Sequence, residues 1–378
     1  MKAWVLMIAG MGSLMACAAS VVPDTGPSAS WRLQPTVPMM VPRAGHQATE
    51  LPGARVLLTG GCSGSGCEPV ERSTELFHVD SGRSESITAM AQARVSHVSA
   101  QLPGGQVLIA GGWDGSAALA SAELFDPRTK TFSSTATMGT PRMDARATVL
   151  ADGSVLVTGG ARALNQAVAD AEVFDPATGR FSVAGRLNQA RVHHAAVRLE
   201  DGRVLVMGGL IARHTATASA EIYDPATGMF TVTGALSQPR CKHAAVRLQD
   251  GRVLVVSGSS DCNDSARMAN TELYDPATGR FSPGPMLAHG RYKLADAVAV
   301  LPSGEVVVAG GADNVEIWTP GSPAFVKADG GIGEKLAFST ATALADGRVL
   351  ILGGYDDTIR PTPKAWVVGR EPAAGSAD

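Results

Sequence analysis

Aromatic residues make up only 5% of this chain, and neither sign of charge dominates: 32 Lys and Arg face 35 Asp and Glu, a formal net charge of −3. A chain so near neutrality carries no electrostatic footprint for nucleic acid or for an acidic membrane surface. The usual marks of catalytic machinery are missing too. There is no nucleophile elbow, no phosphate-binding glycine loop and no HExxH-like element. Cysteines number five, and their scatter lacks zinc-ligand spacing. The apolar stretch from Trp4 to Leu14 is too short for a permanent membrane helix. What the chain has in quantity is glycine, 43 residues, which suits many tight turns between short strands.

The N-terminus reads as a leader. Lys2 gives a small positive region, Trp4 to Leu14 an apolar one, and Leu14-Met15-Ala16-Cys17 a small-residue cleavage site ending in cysteine. That pattern resembles a bacterial lipobox, which implies cleavage before Cys17, its lipidation, and an exported protein anchored in the cell envelope; the alternative is an ordinary secretory leader. Ala18, in place of Asp after the cysteine, resembles lipoproteins sent on to the outer membrane. The expected organisation is a signal peptide at 1–16, a Pro/Ser/Ala/Gly-rich tether at 17–30, one domain at 31–369 and a disordered tail at 370–378. With Cys17 lipidated, four cysteines remain. In an oxidising compartment an even number favours two disulfides, Cys62 with Cys67 and Cys241 with Cys262.

The strongest signal is a repeat. Seven aliphatic runs end in a small pair: Gly60-Gly61, Gly111-Gly112, Gly159-Gly160, Gly208-Gly209, Ser257-Gly258, Gly310-Gly311 and Gly353-Gly354. Their spacing is 51, 48, 49, 49, 53 and 43 residues, and a period near fifty marks a repeat architecture. The fourth repeat predicts strands a (193–199), b (203–207), c (220–223) and d (from Phe230). Asp201-Gly202 between a and b predicts a two-residue type I′ turn with positive φ at both residues. The Asp-Pro-Ala-Thr-Gly at 224–228 supplies the c–d turn. Four antiparallel strands per repeat fit a propeller blade. The last repeat lacks strand d, and residues 31–38 supply it, so the two chain ends should close the ring.

The Gly-Gly pair, the Glu-aromatic-Asp-Pro turn and the following aromatic, in tandem over about 31–369, resemble kelch repeats. The chain is similar to bacterial kelch proteins and to the central propeller of galactose-oxidase-like enzymes. The resemblance implies an all-β, seven-bladed propeller and says little of function. A copper oxidase of that type would need a tyrosine set converging on histidines. Here Tyr223 and Tyr274 fill a strand-c core slot, and neither Tyr292 nor Tyr355 is followed by His.

Two features bear on function. The a–b and c–d hairpins are short and nearly uniform, whereas the b–c loops (62–72, 113–120, 161–169, 210–219, 259–269 and 355–364) diverge. Divergence on one rim is the mark of a recognition surface. On that rim Arg43, Arg94, Arg142, Arg191, Arg240 and Arg291 recur in six blades, with Lys335 nearby in the seventh. They form either an anion-binding ring or, with Glu75, Glu123, Glu172, Glu221, Glu272 and Glu316, blade-to-blade ion pairs. His46, His97, His194 and His243 follow three residues after four of the arginines and read as scaffold. The expectation is a non-catalytic binding module with no cofactor and no metal, recognising a protein or glycan through this rim, with Trp113, Arg213 and Asp261 as further contact candidates. A sugar-processing enzyme using the central channel is the alternative.

Overall fold

The computed structural model of the protein describes residues 30–212 and 215–371. The leader, Cys17, most of the tether, Arg213 and residues 372–378 lie outside them. Seven four-stranded antiparallel sheets follow one another along the chain. Strand a of each is Gln47–Leu51, Val98–Gln101, Arg146–Val149, Ala195–Arg198, Ala244–Arg247, Val298–Val300 and Thr340–Ala343. Each strand a touches that of the next blade, and the last touches the first, so the inner strands form a closed circle. The protein is a seven-bladed β-propeller.

Closure is made by strand pairing. Trp31–Thr36 runs antiparallel to Ala365–Arg370, from Trp31 opposite Arg370 to Thr36 opposite Ala365. Blade seven therefore combines both ends of the described chain. The pairing runs one residue beyond the expected boundary at 369, and the Glu371 amide donates to the Ser30 carbonyl.

The core lies between blades. Strand b is buried along its length in blades two to five, as in Val107–Ala110, because neighbouring sheets cover both its faces. One cluster joins Val98 and Leu108 of blade two to Val157 and Phe174 of blade three; another joins Trp31 and Leu33 of blade seven to Val307 and Ile317 of blade six. Within blades two to five, the strand-c aromatic meets the strand-d aromatic across the c–d turn. Ring centroids lie 4.8–5.0 Å apart, from Phe125–Phe132 to Tyr274–Phe281. Such pairs contribute about 0.5–1.5 kcal/mol beyond their buried area.

Two local expectations are corrected. The a–b turn is a three-residue loop: the Leu199 amide donates to the Arg203 carbonyl at 2.8 Å, Gly202 alone takes positive φ (89°), and its amide donates to the Leu199 carbonyl. Asp201 stays outside the left-handed region, and its carboxylate accepts the Arg203 amide at 3.1 Å. A type I turn ending in a left-handed glycine serves the hairpin as well as the mirror-image turn. Strand a also starts later than expected, at Ala195 rather than His193 and at Thr340 rather than Phe338. His193 (φ 56°) and Phe338 (φ 58°) are left-handed, which an extended strand excludes.

Candidate functional site

The six arginines are not part of an accessible surface. Each is buried, at most 1% exposed, and each pairs with the strand-c glutamate of its own blade at 2.5–3.0 Å: Arg43–Glu75, Arg94–Glu123, Arg142–Glu172, Arg191–Glu221, Arg240–Glu272 and Arg291–Glu316. The pairs lie within blades, not between them. Arg191 shows the pattern. Its Nη1 donates to the carbonyls of Gly208 and Ser219, its Nη2 to Glu221, and the other Glu221 oxygen accepts the Asn188 amide. Every charge is thus compensated, as burial demands. Burial lowers the pKa of these guanidiniums, and the paired carboxylates oppose that shift.

What crosses between blades is the arginine's backbone. The Arg191 carbonyl accepts the Gly160 amide of the preceding blade at 2.9 Å, and the Arg94, Arg142, Arg240, Arg291 and Arg43 carbonyls do the same for Gly61, Gly112, Gly209, Gly258 and Gly354. This explains the Gly-Gly signature. A Cβ on Gly159 would lie 2.5 Å from the Arg191 carbonyl oxygen and from His194 Cε1. The histidines fill the same seam: His97 Nε2 meets Thr59 at 2.9 Å, His194 meets Thr158 at 3.0 Å, and His46 meets Thr340 at 3.1 Å. All four are buried, and desolvation holds them below the ordinary histidine range, His46 to about 3. Among the described residues no cluster of three or more His, Cys, Asp or Glu is placed to hold a metal ion.

The feature that sequence reading missed lies two residues after each arginine. Gly45, Ser96, Asp144, His193, Lys242 and Lys293, with Phe338 in blade seven, all take φ between 50° and 64°. Backbone bonds link them round the channel mouth: Ser96 to Gly45, Asp144 to Ser96, Lys242 to His193, Phe338 to Lys293 and Gly45 to Phe338, at 3.0–3.3 Å. The left-handed φ recurs in all seven blades, whereas the residues that take it range from Gly and Ser to Asp, His, Lys and Phe. His193 Nδ1 lies 3.6 Å from Asp144 Oδ1. Burial lowers the His193 pKa, Asp144 opposes this, and Lys242 and Arg146 add to the lowering. Lys242 Nζ and Lys293 Nζ both lie 5.3 Å from the Tyr292 ring centroid, and 5.8 and 5.6 Å from that of Phe338. Left-handed φ disfavours bulky side chains, so finding Lys, His and Phe there signals a tertiary constraint. The legible trace in the sequence was a variable column two residues after the recurrent arginine.

Below this ring, blade six departs from the others. Ala297, six residues after Arg291, occupies the place that Ala195 holds four residues after Arg191, and the two extra residues form a turn at Ala295-Asp296. Asp296 reaches Arg146 of blade three at 3.1 Å and Gln47 of blade one at 3.2 Å, bridging the channel. Above it the mouth opens into two cavities. One of about 370 Å³ is mainly apolar, bounded by Val95, Trp113, Met143, Leu164, Phe338 and Tyr355. Another of about 360 Å³ runs past Leu164 to His193, Lys242 and Asn263.

The remaining predicted residues divide between these features. Trp113 lines the apolar cavity, and its backbone is clamped to Val95. Asp261 instead shapes its own loop, accepting from Ser259, the Asn263 amide and Ser265, which hold its carboxyl below the usual range. Cys62–Cys67 and Cys241–Cys262 are joined as disulfides, the first bordering the apolar cavity. Both tie down b–c loops next to the mouth.

A family model, the Kelch motif, matches residues 94–139. The match runs from Arg94 through strands a to d of blade two, and the same hydrogen-bonded unit recurs round the ring. The fold and this unit together make the protein a kelch-repeat β-propeller. A search of curated proteins found no significant match.

Proposed function

We propose that this kelch propeller is a non-catalytic recognition module that docks a protein or glycan partner on its loop face. The observation that carries this reading is the contrast between the two faces. The a–b hairpins of blades two to seven repeat one geometry and the c–d turns of blades two to five another, whereas the face at the channel mouth joins divergent loops, two cavities and six kinds of residue at the seven left-handed positions. Rigid scaffold under variable loops is how many folds present binding sites. Exposed Leu164, 83% accessible between the cavities, and half-buried Trp113 are the natural anchors.

The test is capture of partners from solubilised membranes with the mature protein, followed by affinity measurement on any partner found. Trp113→Ala or Leu164→Ala should weaken binding by about tenfold or more. A partner indifferent to both changes, yet lost on Arg252→Ala at an a–b hairpin, would place the docking site on the other face. The pattern Leu14-Met15-Ala16-Cys17 supports a lipid anchor in the bacterial envelope. On that reading Cys17→Ser moves the protein from the membrane to the soluble fraction.

A further inference from the structure

Aromatic residues are few in this chain, and most of them serve the core. Among the described residues they are buried or pair across a c–d turn, save three: Trp113, Phe338 and Tyr355. These three come from blades two and seven, and all border the apolar cavity of about 370 Å³ at the channel mouth. The Phe338 and Tyr355 rings meet edge to face, with centroids 6.4 Å apart. Blade three adds a charge. Asp144 borders the same cavity, and the one group paired with it among the described residues is His193, whose Nδ1 lies 3.6 Å away. Burial lowers the pKa of His193 to about 4, so near pH 7 the imidazole brings no positive charge to offset the carboxylate. Lys242 and Lys293 lie against the Phe338 ring, 5.8 and 5.6 Å from its centroid, but neither borders this cavity.

We infer that this cavity binds a small organic cation, an alkylated ammonium whose carbon substituents pack on Trp113, Phe338 and Tyr355 beside the Asp144 carboxylate. Aromatic faces carry negative potential and attract a cation, most strongly where water is displaced. Any ligand that covers the cavity also strips water from Asp144. A neutral ligand leaves that carboxylate without a counter-charge, and an anion adds repulsion, whereas a cation supplies the partner. The remaining walls decide what kind of cation. Val95, Met143 and Leu164 offer no oxygen ligands to a bare metal ion, but they suit methyl and methylene groups. The two lysines on Phe338 place the seat on the Trp113–Tyr355 side of the cavity, since like charges repel. This site goes beyond the docking of a protein or glycan on the same face and does not depend on it.

The experiment titrates the mature protein calorimetrically with three molecules of nearly one shape: choline, its uncharged analogue 3,3-dimethylbutan-1-ol, and the anion 3,3-dimethylbutanoate. Choline should bind at least about tenfold more tightly than the alcohol, and the anion more weakly than either. Asp144→Asn should remove most of that preference. Asparagine tolerates the left-handed φ of 53° at this position, so the melting temperature should stay nearly unchanged. Trp113→Leu should weaken choline several-fold more than the alcohol, because leucine keeps apolar surface and loses the aromatic face. Should the Asp144 variant unfold, the native protein carries the same test, since choline's advantage over the alcohol should shrink in high salt. Equal affinity for choline and the alcohol overturns the inference, as does a preference undiminished by Asp144→Asn. A preference for the anion overturns it too and shows that the two lysines govern the mouth. So does a protein that captures a partner through Trp113 yet binds no choline; that result leaves the docking face standing.

Discussion

Blades one to six and blade seven solve the same packing problem with opposite chemistry. In the first six, a buried arginine–glutamate pair links the start of strand a to strand c. In blade seven, Leu336 takes the arginine's place and Trp366 the glutamate's, both within one apolar cluster. Lys335, the nearest cation in sequence, is exposed. Yet the bond between blades survives: the Gly311 amide donates to the Leu336 carbonyl at 2.6 Å, as the other glycines do to arginine carbonyls. The ion pair is therefore one way to hold a backbone carbonyl in position, and apolar packing is another. Blade seven also bears the pairing of both chain ends, and its buried tryptophans Trp31 and Trp366 supply apolar area where the join is made.

The largest effect should come from breaking that join. A chain beginning at residue 37 leaves blade seven without its outer strand and uncovers Trp31's partners in blade six. We expect loss of a cooperative unfolding transition, read by circular dichroism on heating. Retention of a sharp transition would mean the ring holds without the join.

Next comes the ion pair. Arg191→Leu alone strands Glu221 in a buried site and should cost about 3–5 kcal/mol in urea unfolding. Adding Glu221→Leu removes the orphaned charge and should recover part of that loss, moving blade four towards the chemistry of blade seven. A double variant as unstable as the single, or more so, would show that the glutamate's bonds to the Asn188 and Gln189 amides matter more than its charge.

Gly159→Ala follows, at about 2–4 kcal/mol. It combines a left-handed φ of 57° with a Cβ 2.5 Å from the Arg191 carbonyl oxygen. Gly347→Ala, also at positive φ (86°) but with nothing near its Cβ, should cost only the backbone strain, about 1–2 kcal/mol. The difference between them isolates the steric part of the seam.

The smallest effect per site, within the first pH unit below neutrality, is the response to acid. The fold keeps His46, His97, His194 and His243 neutral, while the unfolded chain takes up protons near pH 6.5. The unfolded state then binds more protons, so stability falls as pH drops below about 6.5 and continues to fall towards the folded-state values, about 3 for His46. Each histidine contributes up to about 1.4 kcal/mol per pH unit in that window. Blades three, six and seven carry Ala145, Leu294 and Ser339 at this position and contribute nothing. His243, whose ring nitrogens have no hydrogen-bond partner among the described residues, is the one to replace. His243→Leu should flatten the pH dependence of the urea midpoint; an unchanged slope would assign the acid response to other groups.

Much of this was readable in the residues. The fifty-residue period, the Asp-Pro turn and the missing strand d of the last repeat gave seven blades and the closing pair. Those signals are local, since each repeat writes its own turns and apolar runs. The partnership of arginine and glutamate was visible in their shared period, but not that it lies inside one blade. Register across a sheet decides that, and so does the route of the Arg carbonyl to the next blade's glycine.

Sequence alone determined the architecture, because strand length, turn chemistry and apolar alternation act within about fifty residues of chain. Only the tertiary structure decided what faces the channel mouth. Left-handed Lys, His and Phe are imposed by bonds from neighbouring blades, and the Asp296 bridge joins residues 150 positions apart in the chain. No local propensity encodes either, since both arise only when the ring is shut.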